Sequence, residues 1–196
     1  DSRIVDLNGK VLTLKATIYA DKYQLTFKNG TINIDHAGGY QTPALYAQNK
    51  NGALVFDTVE INAVNATSTL IYANNSTATL TLKNCSLKSE GGDSGTLISC
   101  ANNTYCKLIV DGLTVDYTSE INTALFRALI VDVNNLVIEK AVKFNYIFIN
   151  SYGEVKNSDF EKAVSTINVG LFKTAASATT QTDGKTMTIT NCNFGE

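Results

Sequence analysis

Tryptophan is absent, and proline, histidine and methionine occur once each, as Pro43, His36 and Met187. One histidine cannot build a histidine-based metal cluster or relay protons between imidazoles. The four cysteines include no Cys-x-x-Cys pair, so neither a metal nor a cofactor is expected. Charged residues are scarce, at 17%, and the net charge is -2. Without a basic excess to neutralise phosphates, no nucleic-acid partner is expected. No apolar run approaches ~18 residues, so no helical membrane span is expected. No stretch of ten or more residues carries a helical apolar period. The chain opens at Asp1 without a signal peptide and reads as a mature form or a piece of a longer chain.

What is present points to strands and turns. Hydrophobic residues make up 44%, enough to bury a core over one domain's length. The 24 threonines favour strands, and the 21 asparagines favour turns.

A unit recurs along most of the chain. It runs apolar, polar, turn residue, small, polar, apolar. Copies start at Phe27, Phe56, Leu82, Val110, Val155 and Ile189, with a seventh, one residue longer, at Ile138. A short apolar strand lies upstream of most copies, at 44–47, 69–72, 96–99, 124–127, 146–149 and 170–173. Two residues after each start sit Asn29, Thr58, Asn84, Gly112, Lys140, Asn157 and Asn191. Asparagine and glycine tolerate a left-handed backbone, so this column predicts one bend per coil. Asparagines stacked from coil to coil can hydrogen-bond along the axis. The unit is too short for a propeller blade.

The Asn84-Cys85-Ser86-Leu87 and Asn191-Cys192-Asn193-Phe194 segments resemble the asparagine-ladder bend of the right-handed parallel β-helix, or pectin-lyase-like, superfamily. With the short Leu/Phe strands, the chain looks most like small uncharacterised β-helix domains of bacterial surface and secreted proteins. The resemblance covers roughly residues 25–196 and implies an all-β, single right-handed parallel β-helix of about seven coils. Residues 1–24 read as an N-terminal cap or first coil, with Asn8-Gly9 marking a hairpin or tight turn. Phe194 ends the last strand without a polar cap, so further coils, another domain or a partner is expected beyond Glu196.

The columns separate core from surface. Phe27, Phe56, Leu82, Val110, Ile138, Val155 and Ile189 form one expected core column. Ile32, Ile61, Leu87, Val115, Phe144, Phe160 and Phe194 form a second. Cys85 and Cys192 fall in a small-residue column between them as buried thiols. Lys28, Asp57, Lys83, Asp111, Glu139, Lys156 and Thr190 form an outward column whose signs largely alternate. It reads as a solvated ion-pair ladder rather than a ligand track. Two adjacent apolar columns in the upstream strands leave the inward face there undecided.

Candidate chemistry is sparse. The fourth position of the upstream strands varies: Ala47, Tyr72, Ser99, Arg127, Ile149 and Lys173. Tyr72, Ser99, Arg127 and Lys173 are the candidate ligand-binding residues, because an aromatic ring beside an arginine suits an acidic sugar. Cys100 and Cys106 flank a turn and could form a disulfide, or remain two free thiols. Asp35-His36 beside Gly38-Gly39 reads as a polar loop, and 174–185 as an exposed excursion. The superfamily's calcium-dependent lyases and aspartate-cluster hydrolases imply catalytic patterns that this chain lacks. It has arginine only at 3 and 127, no Asp-Asp pair, and its histidine is not in a Gly-His-Gly context. Asp57 and Asp111, two coils and about 10 Å apart with Lys83 between them, leave room for an inverting pair, but the alternating charge column explains them more simply. No catalytic residue is therefore assigned. The expected function is a non-catalytic module of a bacterial secreted or cell-surface protein, binding polysaccharide or acting as a scaffold. A polysaccharide lyase or hydrolase, and a structural stalk or adhesin segment, are the alternatives.

Overall fold

The computed structural model describes residues 2–36, 43–47, 52–64, 69–74, 78–89, 97–100, 106–117, 121–127, 130–140, 142–165, 171–173 and 186–195. Among them every regular element is a strand. In chain order these are β1 (Arg3–Asp6), β2 (Val11–Leu14), β3 (Ile18–Ala20), β4 (Gln24–Ile34), β5 (Leu45–Ala47), β6 (Ala53–Ala63), β7 (Ile71–Ala73), β8 (Thr79–Ser89) and β9 (Ile98–Cys100). Then follow β10 (Lys107–Tyr117), β11 (Ile121–Arg127), β12 (Ile130–Ile138), β13 (Val142–Ile149), β14 (Tyr152–Lys156), β15 (Ala163–Ser165), β16 (Phe172–Lys173) and β17 (Met187–Thr190). One sheet runs β1-β4-β6-β8-β10-β12-β14-β17, with β2 also on β4. The other runs β15-β13-β11-β9-β7-β5-β3, with β16 on β13. Strands of one turn pair in parallel with those of the next, so the molecule is an all-β parallel solenoid.

The bend column explains how one long strand can serve the core twice. β4, β6, β8 and β10 are eleven residues each, and each carries one residue at positive φ in its middle. These are Asn29 (56°), Thr58 (58°), Asn84 (48°) and Gly112 (80°). In β6, Leu54 and Phe56 are buried before the bend, and Val59, Ile61 and Ala63 after it. Side chains alternate strictly along a strand, so without the bend the second half would turn its apolar residues outward. The left-handed residue shifts the parity by one and returns them to the core.

Two corrections concern the repeat. About four turns are full, those built on the eleven-residue strands, rather than seven. The later rungs shorten, with nine residues in β12, five in β14 and four in β17. The copy placed at Ile138 actually starts at Val133. Val133 pairs with Val110 and Val155, while Ile138 pairs with Val115. The segment Val133–Ile138 carries the motif, with Asn135 (57°) at its bend in place of Lys140. Asn134, not Glu139, therefore stands beside Asp111 and Lys156 in the outward column. Phe144 belongs to the other sheet, opposite Ile121 and Ser165. An apolar-polar alternation matches both 133–138 and 138–144, and only pairing partners separate the two registers.

The core is a line of stacked apolar columns. The Phe27 and Phe56 rings stack 5.7 Å apart, and Phe126, Phe148 and Phe172 stack at 5.1 and 5.7 Å. Both adjacent apolar columns of the second sheet are in the core, as the pairs Leu70-Ile71, Leu97-Ile98, Leu125-Phe126 and Ile147-Phe148 show. The N-terminal segment adds to the same sheets. β1 and β2 both lie parallel on β4, so Asn8-Gly9 makes a tight turn and not a hairpin. Lys10 N donates to Leu7 O at 2.8 Å across that turn. A Cβ on Gly30 would lie 2.5 Å from Leu7 Cβ, so only glycine lets the turn rest there.

Candidate functional site

The bends line up into a longitudinal groove of about 720 Å³. It crosses five strands, from Asn29 on β4 through Thr58 and Asn84 to Gly112 and Asn135 on β12. Thr31, Glu60, Ser86 and Thr114, all half-buried, form a hydroxyl-rich wall. Gly30, Val59, Cys85 and Leu113 supply the floor. The groove exists because a left-handed residue in mid-strand turns the sheet through an angle at the same place in every turn. The column itself is legible in the sequence; its concave surface exists only once the strands stack.

Among the described residues Glu60 is the only charged one lining the groove, and it is already engaged. Lys88 Nζ donates to one of its carboxylate oxygens, and Asn62 Nδ2 donates to the other at 3.0 Å. The Lys88 ammonium, then the Asn62 amide, hold the Glu60 carboxyl below its ordinary range, and Glu60 raises Lys88 in turn. Asn62 also donates to Asn33 Oδ1 at 3.0 Å, and Asp116 pairs with Lys140 at 2.6 Å. Asn33, Asn62, Lys88 and Asp116 are in register on four consecutive strands. This second polar column had not been singled out. Its signal is the same outward spacing, four residues beyond each bend.

The expected axial bonding within the bend column is present between Asn191 and Asn157, while Asn157 reaches Asn134, the residue before the Asn135 bend. Asn191 Nδ2 donates to Asn157 Oδ1 at 2.7 Å, and Asn157 Nδ2 donates to Asn134 Oδ1 at 2.9 Å. Asn134 Nδ2 in turn donates to Asp111 Oδ1 at 2.8 Å. The outward charge column reads Asp6, Lys28, Asp57, Lys83, Asp111 in register. Among the described residues only Asp6 and Lys28 in that column close to an ion pair, at 3.2 Å. The Asn8 amide, Lys28 and Asn29 hold the Asp6 carboxyl below its usual range.

The sequence-derived candidates share a column on the second sheet, with one change. Tyr72, Ser99, Arg127, Ile149 and Lys173 are in register across β7, β9, β11, β13 and β16. Tyr46, not Ala47, stands opposite Tyr72, because the 44–47 strand pairs one residue out of the assumed alignment. The rings of Tyr19, Tyr46 and Tyr72 lie tilted at 5.5 and 5.4 Å. Tyr72 is 7% exposed and Ser99 is fully buried, so neither is an open platform for a sugar ring. Arg127 is half-buried, and its Nε is sealed from solvent with no hydrogen-bond partner among the described residues. The side chain of Lys173 lies outside the described residues.

The remaining candidates fall as follows. Cys106 is buried and disulfide-bonded, and Cys85 and Cys192 are free. The side chain of Cys100 and residues 101–105 and 174–185 lie outside the described residues. Burial pushes the Cys85 thiol up, away from reactive thiolate, and it donates to Lys83 O at 3.1 Å. His36 faces Thr17 Oγ1 at 3.5 Å and Asp35 faces Lys15 at 3.8 Å, while 37–40 lie outside the described residues. No group of three metal-ligating side chains occurs among the described residues, and no described helix is long and apolar enough to cross a membrane.

No family model matches this chain, and no curated protein and no solved structure is significantly similar to it.

Proposed function

We propose that this chain is a non-catalytic module of a bacterial secreted or cell-surface protein, of pectin-lyase-like ancestry, that binds carbohydrate. The carrying observation is the groove along the bends, where amides and hydroxyls recur once per turn over five strands. Such groups both donate and accept, as sugar hydroxyls do. A lyase or hydrolase has less support. Asp57 and Asp111 stand two strands apart with Lys83 in register between them. A retaining pair needs its carboxyl groups only ~5 Å apart; the roughly 10 Å of two strand spacings lies at the far edge of the ~6.5–9.5 Å of an inverting pair, and Lys83 stands between. A scaffold or stalk remains the second reading, favoured by the axial asparagine and charge columns, which stiffen a solenoid without any ligand.

The test is a polysaccharide array probed with the purified chain. Retention on at least one glycan, without release of reducing or unsaturated ends, is expected. Silence across all glycans would overturn the carbohydrate reading and leave the scaffold.

A further inference from the structure

Accepting the carbohydrate reading, we infer that the ligand is a neutral linear polysaccharide lying in the bend groove along the solenoid axis. It is not the acidic glycan that Tyr72 and Arg127 suggested from the sequence.

Three observations carry this. The first is charge. Among the described residues no lysine, arginine or histidine lines the groove, and the one charged lining residue is Glu60, a carboxylate. A uronate chain laid there would bring a carboxylate to each sugar and meet a like charge. Lys88 is already bound to Glu60, and Lys28 and Lys83, each one residue before a bend, alternate in register with Asp57 and Asp111. A carboxylate there would be partly desolvated and repelled by Glu60, with no lysine or arginine among the described lining residues to pair it. A neutral sugar carries no such penalty.

The second is the chemistry and direction of the lining. Asn84 and Asn135 are exposed at the bends, and Ser86 and Thr114 stand half-buried beside them. Each can give and take a hydrogen bond, and the set repeats with the strand spacing. Five strands at about 4.8 Å span roughly 19 Å, so an extended chain fits better than a single sugar. The groove is open rather than a closed cavity, which suits a polymer that enters and leaves it.

The third is the condition of the alternative face. Tyr72 and Ser99 are buried, and Tyr72 is packed against Tyr46. A uronate would have to reach Arg127 without the stacking ring that made the pair attractive.

The experiment measures binding to a neutral panel (a β-glucan, a mannan and a xylan) and an acidic panel (polygalacturonate and alginate). Wild type is compared with Thr114→Trp, which fills the groove from the outer face of β10, and with Arg127→Ala. Circular dichroism and the melting temperature check each variant's fold, and Thr114→Tyr replaces Thr114→Trp if that variant is not folded. Expected are binding to a neutral polymer, at least a tenfold loss in the groove variant, retention in Arg127→Ala, and little change between low and high salt. Binding confined to acidic polymers, and lost in Arg127→Ala, would overturn the inference while keeping the carbohydrate reading. Neutral binding that survives groove filling would overturn the groove assignment. No binding to either panel would overturn both.

Discussion

Each turn hinges on one residue held at positive φ, and the choice of residue there is not uniform. Asn29, Asn84, Asn135, Asn157 and Asn191 tolerate it, Gly112 accepts it freely, and Thr58 does not. A β-branched side chain at φ 58° crowds its own backbone, and the Thr58 Oγ1 donation to Asp57 Oδ1 at 3.1 Å offsets only part of that strain. Replacing it with the residue used by its neighbours is therefore expected to stabilise the fold. Thr58→Asn should raise stability by about 1 kcal/mol, read as a higher melting temperature with unchanged circular dichroism. A lower melting temperature would show that the Asp57 bond outweighs the strain. Gly153 is the opposite case. At φ 131° and with its missing Cβ only 2.0 Å from Val131 O, both the backbone conformation and the close strand approach demand glycine.

At the scale of elements, the long strands and their columns were visible as spacing, and their register was not. The bend motif located β4, β6, β8 and β10 because one turn residue interrupts two apolar alternations. At β12 the same pattern fits two frames, one bending at Asn135 and the other at Lys140. A strand reads as periodic in more than one frame, and only the partner strand selects the frame. The same physics shifted Ala47 against Tyr46. The end of β9 and the start of β10 bear on the cysteines. Cys106 is disulfide-bonded, and Cys85 and Cys192 are free. We propose Cys100 as the partner. Peptide mapping without reduction should recover Cys100 joined to Cys106. Cys192 should alkylate in the native state, and Cys85, buried and with a raised pKa, only after unfolding. Recovery of Cys100 as an alkylated thiol would refute the pairing.

Across the whole molecule, charge is spread in columns rather than gathered into a centre, and this shapes its response to pH. Asp6 and Glu60 both have carboxyls held below their ordinary values. A depressed folded pKa gives stability that is present above the ordinary value and is lost as pH falls through the folded one. Stability should therefore decline below about pH 4.5 as these carboxylates protonate. Lys88 and Lys156 have raised pKa values, held up by Glu60 and Glu154. Their contribution is complete below the ordinary lysine value and is lost as pH rises through the higher folded one. The pairs are partly exposed, so the Glu60–Lys88 interaction is worth at most ~1 kcal/mol. Melting temperatures from pH 3 to 7 should show a shallow acid decline that Glu60→Gln partly flattens. Parallel curves for the variant and wild type would place the acid sensitivity elsewhere.

The sequence by itself determined that the chain is all-β, that it repeats, that one left-handed residue bends each turn, and that asparagines bond along the axis. These are consequences of local stereochemistry and of period, which a single strand already carries. Tertiary structure decided the register of Val133 and Tyr46, the burial of Tyr72 and Ser99, and the pairing of Glu60 with Lys88. It also decided that the bends form a continuous groove with a hydroxyl and amide wall over an apolar floor. Each of these depends on what lies one strand away, some 22 to 34 residues along the chain. No local pattern records which side of a column a neighbouring turn will cover.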